Sequence, residues 1–358
     1  MSTHPVLAPL TLAQQTIKNR VVLAPMSRAS ATLQGTPTAA MHDYYERFAA
    51  GGFGIIITEG LYTDTVASQA YPHQPGLATP QQVAGWRELA GKIKAHGSLF
   101  IAQLMHAGAL SQHLQHTLAP SAVVPLGRKL RSYGGGDGPF PVPAAMTHAD
   151  IATAVKGYAA AAVNAVAAGF HGIEVHAANG YLPDQFLTAY TNLRQDEYGG
   201  SVANRFRIIA EIITAIRQVV PQQFIIGLRL SEGKVNNFSY RWPDGAVTAT
   251  ALLEEVKKTA PDYVHISGEG STWEKLGAYA HGETLTGMAK RIVQVPVIAN
   301  GGMEELAVAG RALSEGHADL ISLGKAALAN PDWPARVAAG TPFIAFERAM
   351  AEPFPPVQ

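Results

Sequence analysis

The sequence contains no cysteine, and this absence narrows its chemistry. None of the 358 residues is a cysteine, which excludes disulfides, cysteine-ligated iron–sulfur clusters, thiolate zinc sites and thiol nucleophiles. Redox chemistry in this chain would therefore depend on a bound organic cofactor, and we expect no metal centre.

Charged residues are also scarce, and their signs balance. Lys and Arg together number 27, as do Asp and Glu, and charged residues make up only 15% of the chain. No block of basic residues offers a surface for nucleic acid or an anionic membrane, so we expect neither as a partner. Hydrophobic residues make up 47%, which is sufficient for a sizeable core.

No segment predicts export or membrane insertion. Residues 1–5 lack a basic start followed by a long apolar stretch, and no run of about 18 apolar residues occurs. We therefore expect a cytoplasmic protein.

Short apolar runs alternate with longer amphipathic stretches along the whole chain. The eight runs are 21–24, 54–58, 99–104, 172–175, 224–230, 263–266, 295–299 and 320–323. Between them lie Ala-rich helical patterns such as 149–168 and 203–219. This alternation indicates a parallel sheet, and eight repeats favour a closed barrel over an open sheet. No Gly-x-Gly-x-x-Gly follows the first run, which argues against a Rossmann fold. We predict an α/β fold, a single-domain (β/α)8 TIM barrel spanning residues 1–358.

An insert at about 109–145 separates the third and fourth strands. It contains Arg128, Lys129, Arg131 and the glycine-rich run 134–139. We interpret it as a lid over the barrel mouth, with a disordered segment without function as the alternative. We expect the tail, residues 343–358, to be an extension that packs on the barrel.

The most informative segment follows the fourth run. His176 falls where that predicted strand stops, and Asn179 and Tyr181 follow on the connecting loop. A helical turn there would bring His176 and Asn179 onto one side, where two N–H donors could grip one oxygen beside a phenol. Such a cluster suits polarising a carbonyl and delivering a proton, although a lone His at a strand end is more often structural.

The residues after His176 carry a longer pattern. They read His-x-x-Asn-Gly-Tyr-Leu, Gln-Phe-Leu, Asn-x-Arg-x-Asp-x-Tyr-Gly-Gly-Ser and Asn-Arg over positions 176–205. This succession closely resembles the signature of the old yellow enzyme family, FMN-dependent ene-reductases built on a (β/α)8 barrel. The resemblance extends over nearly the whole chain, from Lys18 to Trp333, and implies non-covalent FMN with NADPH or NADH as reductant.

The resemblance assigns catalysis to His176, Asn179 and Tyr181, and a further set of residues to the cofactor. That set is Pro25, Met26, Ser27, Gly60, Gln103, Arg229, Asn300, Gly301, Gly302, Gly324 and Lys325. Ser27 occupies the slot that carries Thr or Cys in the family, and its alternative role is to cap a turn. Gln103 offers both a donor and an acceptor to the uracil-like edge of the flavin.

An arginine among apolar strand residues is costly to bury without a negative partner, so Arg229 is expected to face the flavin's N1 and C2=O edge. An ion pair with Glu174 is the alternative. The loops after strands seven and eight are expected to bind the phosphate of the cofactor. Met105, Ala109 and Lys325 stand where the family usually has Trp, Arg and Arg.

The implied reaction has two halves. A nicotinamide cofactor first reduces the flavin; hydride then passes from flavin N5 to the C=C bond of an activated alkene, such as an enone, maleimide or nitroalkene. His176 and Asn179 would bind its oxygen, and Tyr181 would donate the proton. Phenols are expected as ligands. Aromatic residues that could wall the pocket, each more often ordinary packing, are Tyr62, Tyr71, Phe238, Tyr240 and Trp273.

Three alternatives remain open. Dienoyl-CoA reductases and amine dehydrogenases share this barrel, but they carry a cysteine-bound cluster and further domains. An FMN barrel that oxidises hydroxy acids would need a His base and paired arginines, and a non-enzymatic flavin-binding barrel would be expected to lack the His176, Asn179, Tyr181 set. The physiological substrate, stereoselectivity, coenzyme preference and oligomeric state are not decided by the sequence; a homodimer stays open.

Overall fold

Eight parallel strands close into a barrel in the computed structural model, which describes residues 4–268, 273–274 and 278–351. The strands, β1 to β8 in chain order, are Val21–Leu23, Ile55–Ile57, Leu99–Met105, Gly172–Asn179, Ile225–Lys234, Tyr263–Ile266, Val297–Asn300 and Leu320–Leu323. Each strand pairs with the next, and β8 returns to β1, with Ile321 opposite Val21. The predicted (β/α)8 barrel is confirmed.

Helices cover the outside of this barrel. Those in the described residues, α1 to α10, are Ala39–Ala50, Pro80–Ala95, His148–Ala168, Leu182–Leu187, Val202–Val219, Ala246–Thr259, Leu285–Val293, Leu306–Ser314, Lys325–Ala329 and Trp333–Ala339. In α5, Ser201 caps the first turn by accepting from the Asn204 N–H, and Phe206, Ile209 and Ile213 recur at helical spacing on its buried side. The patterns at 149–168 and 203–219 therefore predicted α3 and α5 to within a residue.

Within the described residues, one helix, α3, has the length and apolar composition of a membrane span. It begins with a capping box between Thr147 and Asp150 and packs between α2 and α5 around the barrel. Its buried residues, among them Ile151, Ala154 and Tyr158, belong to the core of the protein.

The barrel interior changes character from bottom to top. Its lower end is apolar and is covered by the hairpin of Leu10–Leu12 with Gln15–Ile17. The inward apolar residues are Val22, Ile55, Ile57, Leu99, Ile101, Ile225, Tyr263, Ile298 and Leu320. Because side chains alternate along a strand, the next inward positions are two residues further, where Gln103, Glu174, His265 and Ser322 are all buried. Polar chemistry is therefore concentrated toward the carboxyl ends of the strands.

The insert at 109–145 has regular structure. It contains the parallel pair Leu118–Ala119 with Ala144–Ala145 and a 3₁₀ turn at Arg131–Tyr133. Whether it acts as a lid stays a prediction. The tail packs as expected through Phe343, whose ring stacks on Trp333 at 5.3 Å, while its residues 352–358 lie outside the described residues.

Candidate active site

A buried hydrogen-bond network spans the barrel below its mouth, and Glu174 of β4 is its centre. Glu174 accepts from Gln103 Nε2 at 2.8 Å, Tyr263 Oη at 3.0 Å and His265 Nδ1 at 2.9 Å. Burial alone would raise the pKa of Glu174, but His265, Arg229 and Gln103 outweigh it and lower the pKa to about 2. Glu174 is therefore ionised at neutral pH.

This carboxylate fixes the protons of its neighbours. With Nδ1–H donated to Glu174, the neutral His265 ring accepts at Nε2 from Ser322 Oγ at 2.9 Å. Ser322 in turn accepts from Asn300 Nδ2 at 3.1 Å. Gly227 makes room for the network, because a Cβ there would lie 2.0 Å from the Tyr263 ring.

Gln103 and Arg229, both assigned to the cofactor by the family resemblance, lie at this level of the barrel. The Gln103 side chain donates one amide N–H to Glu174, which leaves its carbonyl and its second N–H for a ligand. Arg229 is 6% exposed and donates from Nη2 to Ser267 Oγ at 2.9 Å. Glu174 accepts from three other donors, and the charge of Arg229 also lowers the pKa of Glu174, so an ion pair between the two stays open as the alternative role of Arg229.

His176 and Asn179 carry the clearest sign of a ligand site. Both are 4% exposed, and neither His176 Nδ1 nor Asn179 Nδ2 has a hydrogen-bond partner in the described part of the chain. Buried polar atoms are rarely left unpaired unless something binds them. Burial, and secondly the charge of Arg229, lower the pKa of His176 to about 3, so the ring is neutral at pH 7.

The backbone at these residues differs from the prediction. β4 runs through Asn179 rather than ending at Val175, and Asn179 has a φ of 65°, so the expected helical turn between His176 and Asn179 was wrong. In a regular strand the two side chains would face opposite sides. The left-handed conformation of Asn179 breaks that alternation.

Tyr181 stands beside His176, with ring centroids 5.1 Å apart. It occupies the N-cap position of α4, and its side chain packs with a small cluster that includes Tyr71, Met105 and Ala107. Unlike its neighbours, the Tyr181 side chain is only partly buried. A phenol therefore lies next to the unpaired ring nitrogen, at the open end of the barrel.

The loop after β1 enters the same cluster. Tyr71 Oη donates to Ser27 Oγ at 2.6 Å, which leaves the Ser27 proton available for another acceptor. Tyr71 in turn stacks on Tyr133 of the insert, with centroids 4.8 Å apart. The insert thus contacts the site, and Tyr133 is a wall residue that no sequence pattern indicated.

Glu59, also missed by the sequence analysis, holds this loop in place. Its Oε2 accepts from the backbone N–H groups of Arg28 and Ala29 at 2.8 and 3.2 Å. Ala29 has a φ of 49°, which needs such support in a residue other than glycine. Burial raises the pKa of Glu59 to about 7. Its position after a buried strand was the only available signal.

The two predicted phosphate loops lie side by side. Gly301 and Gly302 have φ values of 102° and 75°, which expose consecutive backbone N–H groups, and a Cβ on Gly324 would lie 3.5 Å from Met26 Sδ. Lys325 is exposed, with Nζ 5.9 Å from the Phe346 ring. The Asn300 side chain has partners within the protein, since Oδ1 accepts from the Gly268 N–H and Nδ2 donates to Ser322.

These residues fit FMN. The donor set offers a bidentate amide, a buried cation and glycine turns, which match the pyrimidine edge and the single phosphate of that cofactor. Of the remaining cofactor candidates, Pro25 lies on the Ser27 loop, and Gly60 makes room for Met105, whose Sδ would lie 2.6 Å from a Cβ there.

Four of the five aromatic candidates for the pocket wall lie outside the cluster around Tyr181. Tyr62 is bonded to Gln34 and Gln82, Phe238 is 56% exposed, Tyr240 packs on Tyr190, and Trp273 lies against His317. Only Tyr71 lies in the cluster around Tyr181.

Comparison with known proteins agrees with this arrangement. Residues 5–343 match the NADH:flavin oxidoreductase / NADH oxidase family. The chain is 34% identical over 356 residues to a probable flavin mononucleotide-dependent alkene reductase of Leishmania infantum, covering 94% of this chain and 91% of that protein. An old yellow enzyme homologue from Zymomonas mobilis superposes with a TM-score of 0.86 at 27% identity, covering 98% and 97% of the two chains. Morphinone reductase in complex with tetrahydroNAD superposes with a TM-score of 0.84 at 29% identity, covering 97% and 93%.

Proposed function

Since the chain belongs to the NADH:flavin oxidoreductase / NADH oxidase family, that of the old yellow enzymes, it is an FMN-dependent, NAD(P)H-dependent oxidoreductase, and we propose that it reduces the C=C bond of activated alkenes. The observation that carries the proposal is the pair of buried, unpartnered nitrogens, His176 Nδ1 and Asn179 Nδ2, beside the Tyr181 phenol. Enones, maleimides and nitroalkenes have the oxygen that such donors would bind.

FMN, when bound, supplies the hydride. The chain would hold its pyrimidine edge with Gln103 and Arg229 and its phosphate with Gly301, Gly302, Gly324 and Lys325. Ser27 would face its C4=O, as the family resemblance places it.

His176 and Asn179 would bind the oxygen that activates the alkene. As negative charge develops on that oxygen, N–H donors already fixed in a buried site stabilise it without having to reorient. His176 is neutral, so its ring carries one proton, and we assign that proton to the unpartnered Nδ1. Neutral donors suit a neutral substrate, in agreement with the low charge of the surrounding wall of Tyr71, Met105 and Tyr133.

Tyr181 would then protonate the α-carbon from the face opposite the hydride, giving net trans addition. An ordinary phenol stays protonated at pH 7, so it can act as an acid without special tuning. Its partial exposure at the barrel mouth allows solvent to return the proton after each turnover.

The purified protein is expected to be yellow and to release FMN on denaturation. Titration with a p-substituted phenol should perturb the visible spectrum, because the two donors favour a phenolate oxygen. A colourless protein that FMN cannot reconstitute would refute the proposal. A yellow protein whose visible spectrum does not change with phenol would show that His176 and Asn179 do not form the ligand site.

Removing the Ser27 hydroxyl should make the flavin potential more negative. Reduction places electron density on C4=O, and Tyr71 leaves the Ser27 proton free to donate there. One neutral hydrogen bond contributes roughly 0.5 to 1.5 kcal/mol, which corresponds to a shift of about 10 to 30 mV for Ser27→Ala. Reduction by NADPH should slow, and alkene reduction should stay equal or become faster.

Spectroelectrochemical titration checks this shift. The matched control is Ser30→Ala on the same loop, since Ser30 Oγ donates to the Arg28 carbonyl, and its potential should match the wild type. If the potential of Ser27→Ala is unchanged or moves positive, Ser27 is only a turn residue.

A further inference from the structure

We propose that the buried ion pair of Lys234 and Asp184, together with Ser231, positions Asn179 and Tyr181 for ligand binding and proton donation. We refer to these three residues as the clamp. The inference rests on the proposed function, because it concerns how the same site is held in its working geometry.

The turn that carries Asn179 and Tyr181 is left-handed at two consecutive residues. Asn179 has a φ of 65° and Gly180 a φ of 87°. Gly180 also lies close to its surroundings, since a Cβ there would be 2.8 Å from Asn236 Oδ1. Residues other than glycine adopt this conformation only at a cost, so the turn persists because neighbouring groups hold it.

The clamp supplies two of the contacts that hold it. The Asn179 N–H donates to Ser231 Oγ at 2.7 Å, and the Gly180 N–H donates to Asp184 Oδ2 at 2.7 Å. Gln185 Nε2 donates to the Gly180 carbonyl, and the Val235 N–H donates to the Asn179 carbonyl. All four main-chain polar groups of Asn179 and Gly180 therefore have fixed partners.

Lys234 joins the two halves of the clamp. Its Nζ lies 2.7 Å from Asp184 Oδ1 and 3.3 Å from the Ser231 carbonyl, with Lys234 1% and Asp184 0% exposed. Burial raises the pKa of Asp184, and the Lys234 charge opposes that rise. The two oxygens of Asp184 thus contact Lys234 Nζ and the Gly180 N–H, which links the ion pair to the turn.

An irregularity in the pairing of β5 with β4 places two of the clamp residues. Between Leu230 and Lys234, β5 advances four residues while β4 advances only two, from Ala177 to Asn179. The resulting bulge brings Ser231 and Lys234 beside the Asn179 turn, and bulges of this kind commonly redirect side chains next to active sites.

Stability alone does not explain such a pair. Replacing a buried ion pair by apolar groups of similar size is often neutral or stabilising, so its retention is better explained by the geometry that it specifies. Here that geometry is the direction of the Asn179 amide and the start of α4, on which Tyr181 is the capping residue.

The test compares three clamp variants of the FMN-loaded enzyme with a surface control. They are Lys234→Met, the double variant Asp184→Asn with Lys234→Met, and Ser231→Ala, which leaves the charges in place. The control is Lys258→Met, because Lys258 forms an exposed pair with Glu255 at the same 2.7 Å. Each protein is reduced with dithionite and mixed anaerobically with 2-cyclohexenone or with ferricyanide, and its affinity for p-chlorophenol is titrated.

We expect reoxidation of the double variant by cyclohexenone to be about 10- to 100-fold slower, since small displacements of reacting groups have effects of that size. Phenol binding should weaken roughly tenfold, as for the loss of one good hydrogen bond. Ferricyanide, which needs neither Asn179 nor Tyr181, should reoxidise all variants at the wild-type rate. If Lys234→Met does not fold, the double variant and Ser231→Ala carry the test.

Wild-type enone reoxidation and phenol affinity in both the double variant and Ser231→Ala would overturn the inference. An equal loss with ferricyanide would also overturn it, because the damage would then be general. Failure of the proposed function looks different: the wild-type enzyme itself would not be reoxidised by enones, or Tyr181→Phe would not affect the rate.

Discussion

Tyr181→Phe should slow reoxidation of the reduced enzyme by an enone by about 10² to 10⁴-fold, the usual contribution of a positioned general acid. Only the phenol proton is removed, because the ring that packs with Tyr71 and Met105 is kept. Flavin reduction by NADPH needs no proton from Tyr181 and should stay nearly intact. Stopped-flow absorbance of the two half-reactions measures both rates.

Tyr198→Phe is a matched control for this variant. Tyr198 Oη bonds Glu211 outside the barrel, so both half-reactions should keep the wild-type rates. Unchanged enone reoxidation in Tyr181→Phe would remove Tyr181 from its role, and the proton would have to come from solvent or another residue.

His176→Ala and Asn179→Ala should each weaken ligand binding and alkene reduction together. If the two nitrogens stabilise charge on the substrate oxygen, each contributes about 2 to 4 kcal/mol to the transition state, or roughly 30- to 1,000-fold in rate. Phenol titration reports the loss of binding, and the oxidative half-reaction reports the loss in rate.

Two further variants separate chemistry from structural damage. Asn179→Gly removes the amide but tolerates the φ of 65°, whereas Asn179→Ala also strains the turn. His171→Ala changes a histidine just before β4, where the ring accepts from the Phe100 N–H, and should leave enone reoxidation unchanged. Equal losses with a quinone acceptor would show that His176 and Asn179 act through the fold alone.

Much of the barrel could be predicted because its signal is local. Each strand is a short apolar run, and its inward positions repeat every second residue, so the change from Ile101 to Gln103 marks the transition from core to site. The helix at 203–219 could be predicted in the same way, from the helical spacing of its apolar residues.

The backbone of the site could not be predicted in the same way. The left-handed Asn179 depends on Ser231, which is 52 residues away and accepts its N–H. The bulge that brings Ser231 there has no local sequence signal, so a helical turn was the reasonable but wrong expectation for residues 176–179.

The sequence also did not predict which side chains become partners across the barrel. A buried arginine predicts a negative partner, yet the pattern did not reveal that Glu174 would be satisfied by Gln103, Tyr263 and His265. Aromatic residues near strand ends were ambiguous for the same reason. Phe238 is exposed, whereas Tyr133, inside an irregular insert, stacks on Tyr71.

Anaerobic reduction of the purified protein by NADPH, followed by mixing with 2-cyclohexenone, tests the central claim most directly. The account predicts that NADPH bleaches the flavin absorbance, that the enone restores it, and that one saturated ketone forms for each flavin reoxidised. Maleimides and nitroalkenes should act in the same way. A flavin that NADPH reduces and quinones reoxidise, but that no enone, maleimide or nitroalkene reoxidises, would contradict the claim that this chain reduces activated alkenes.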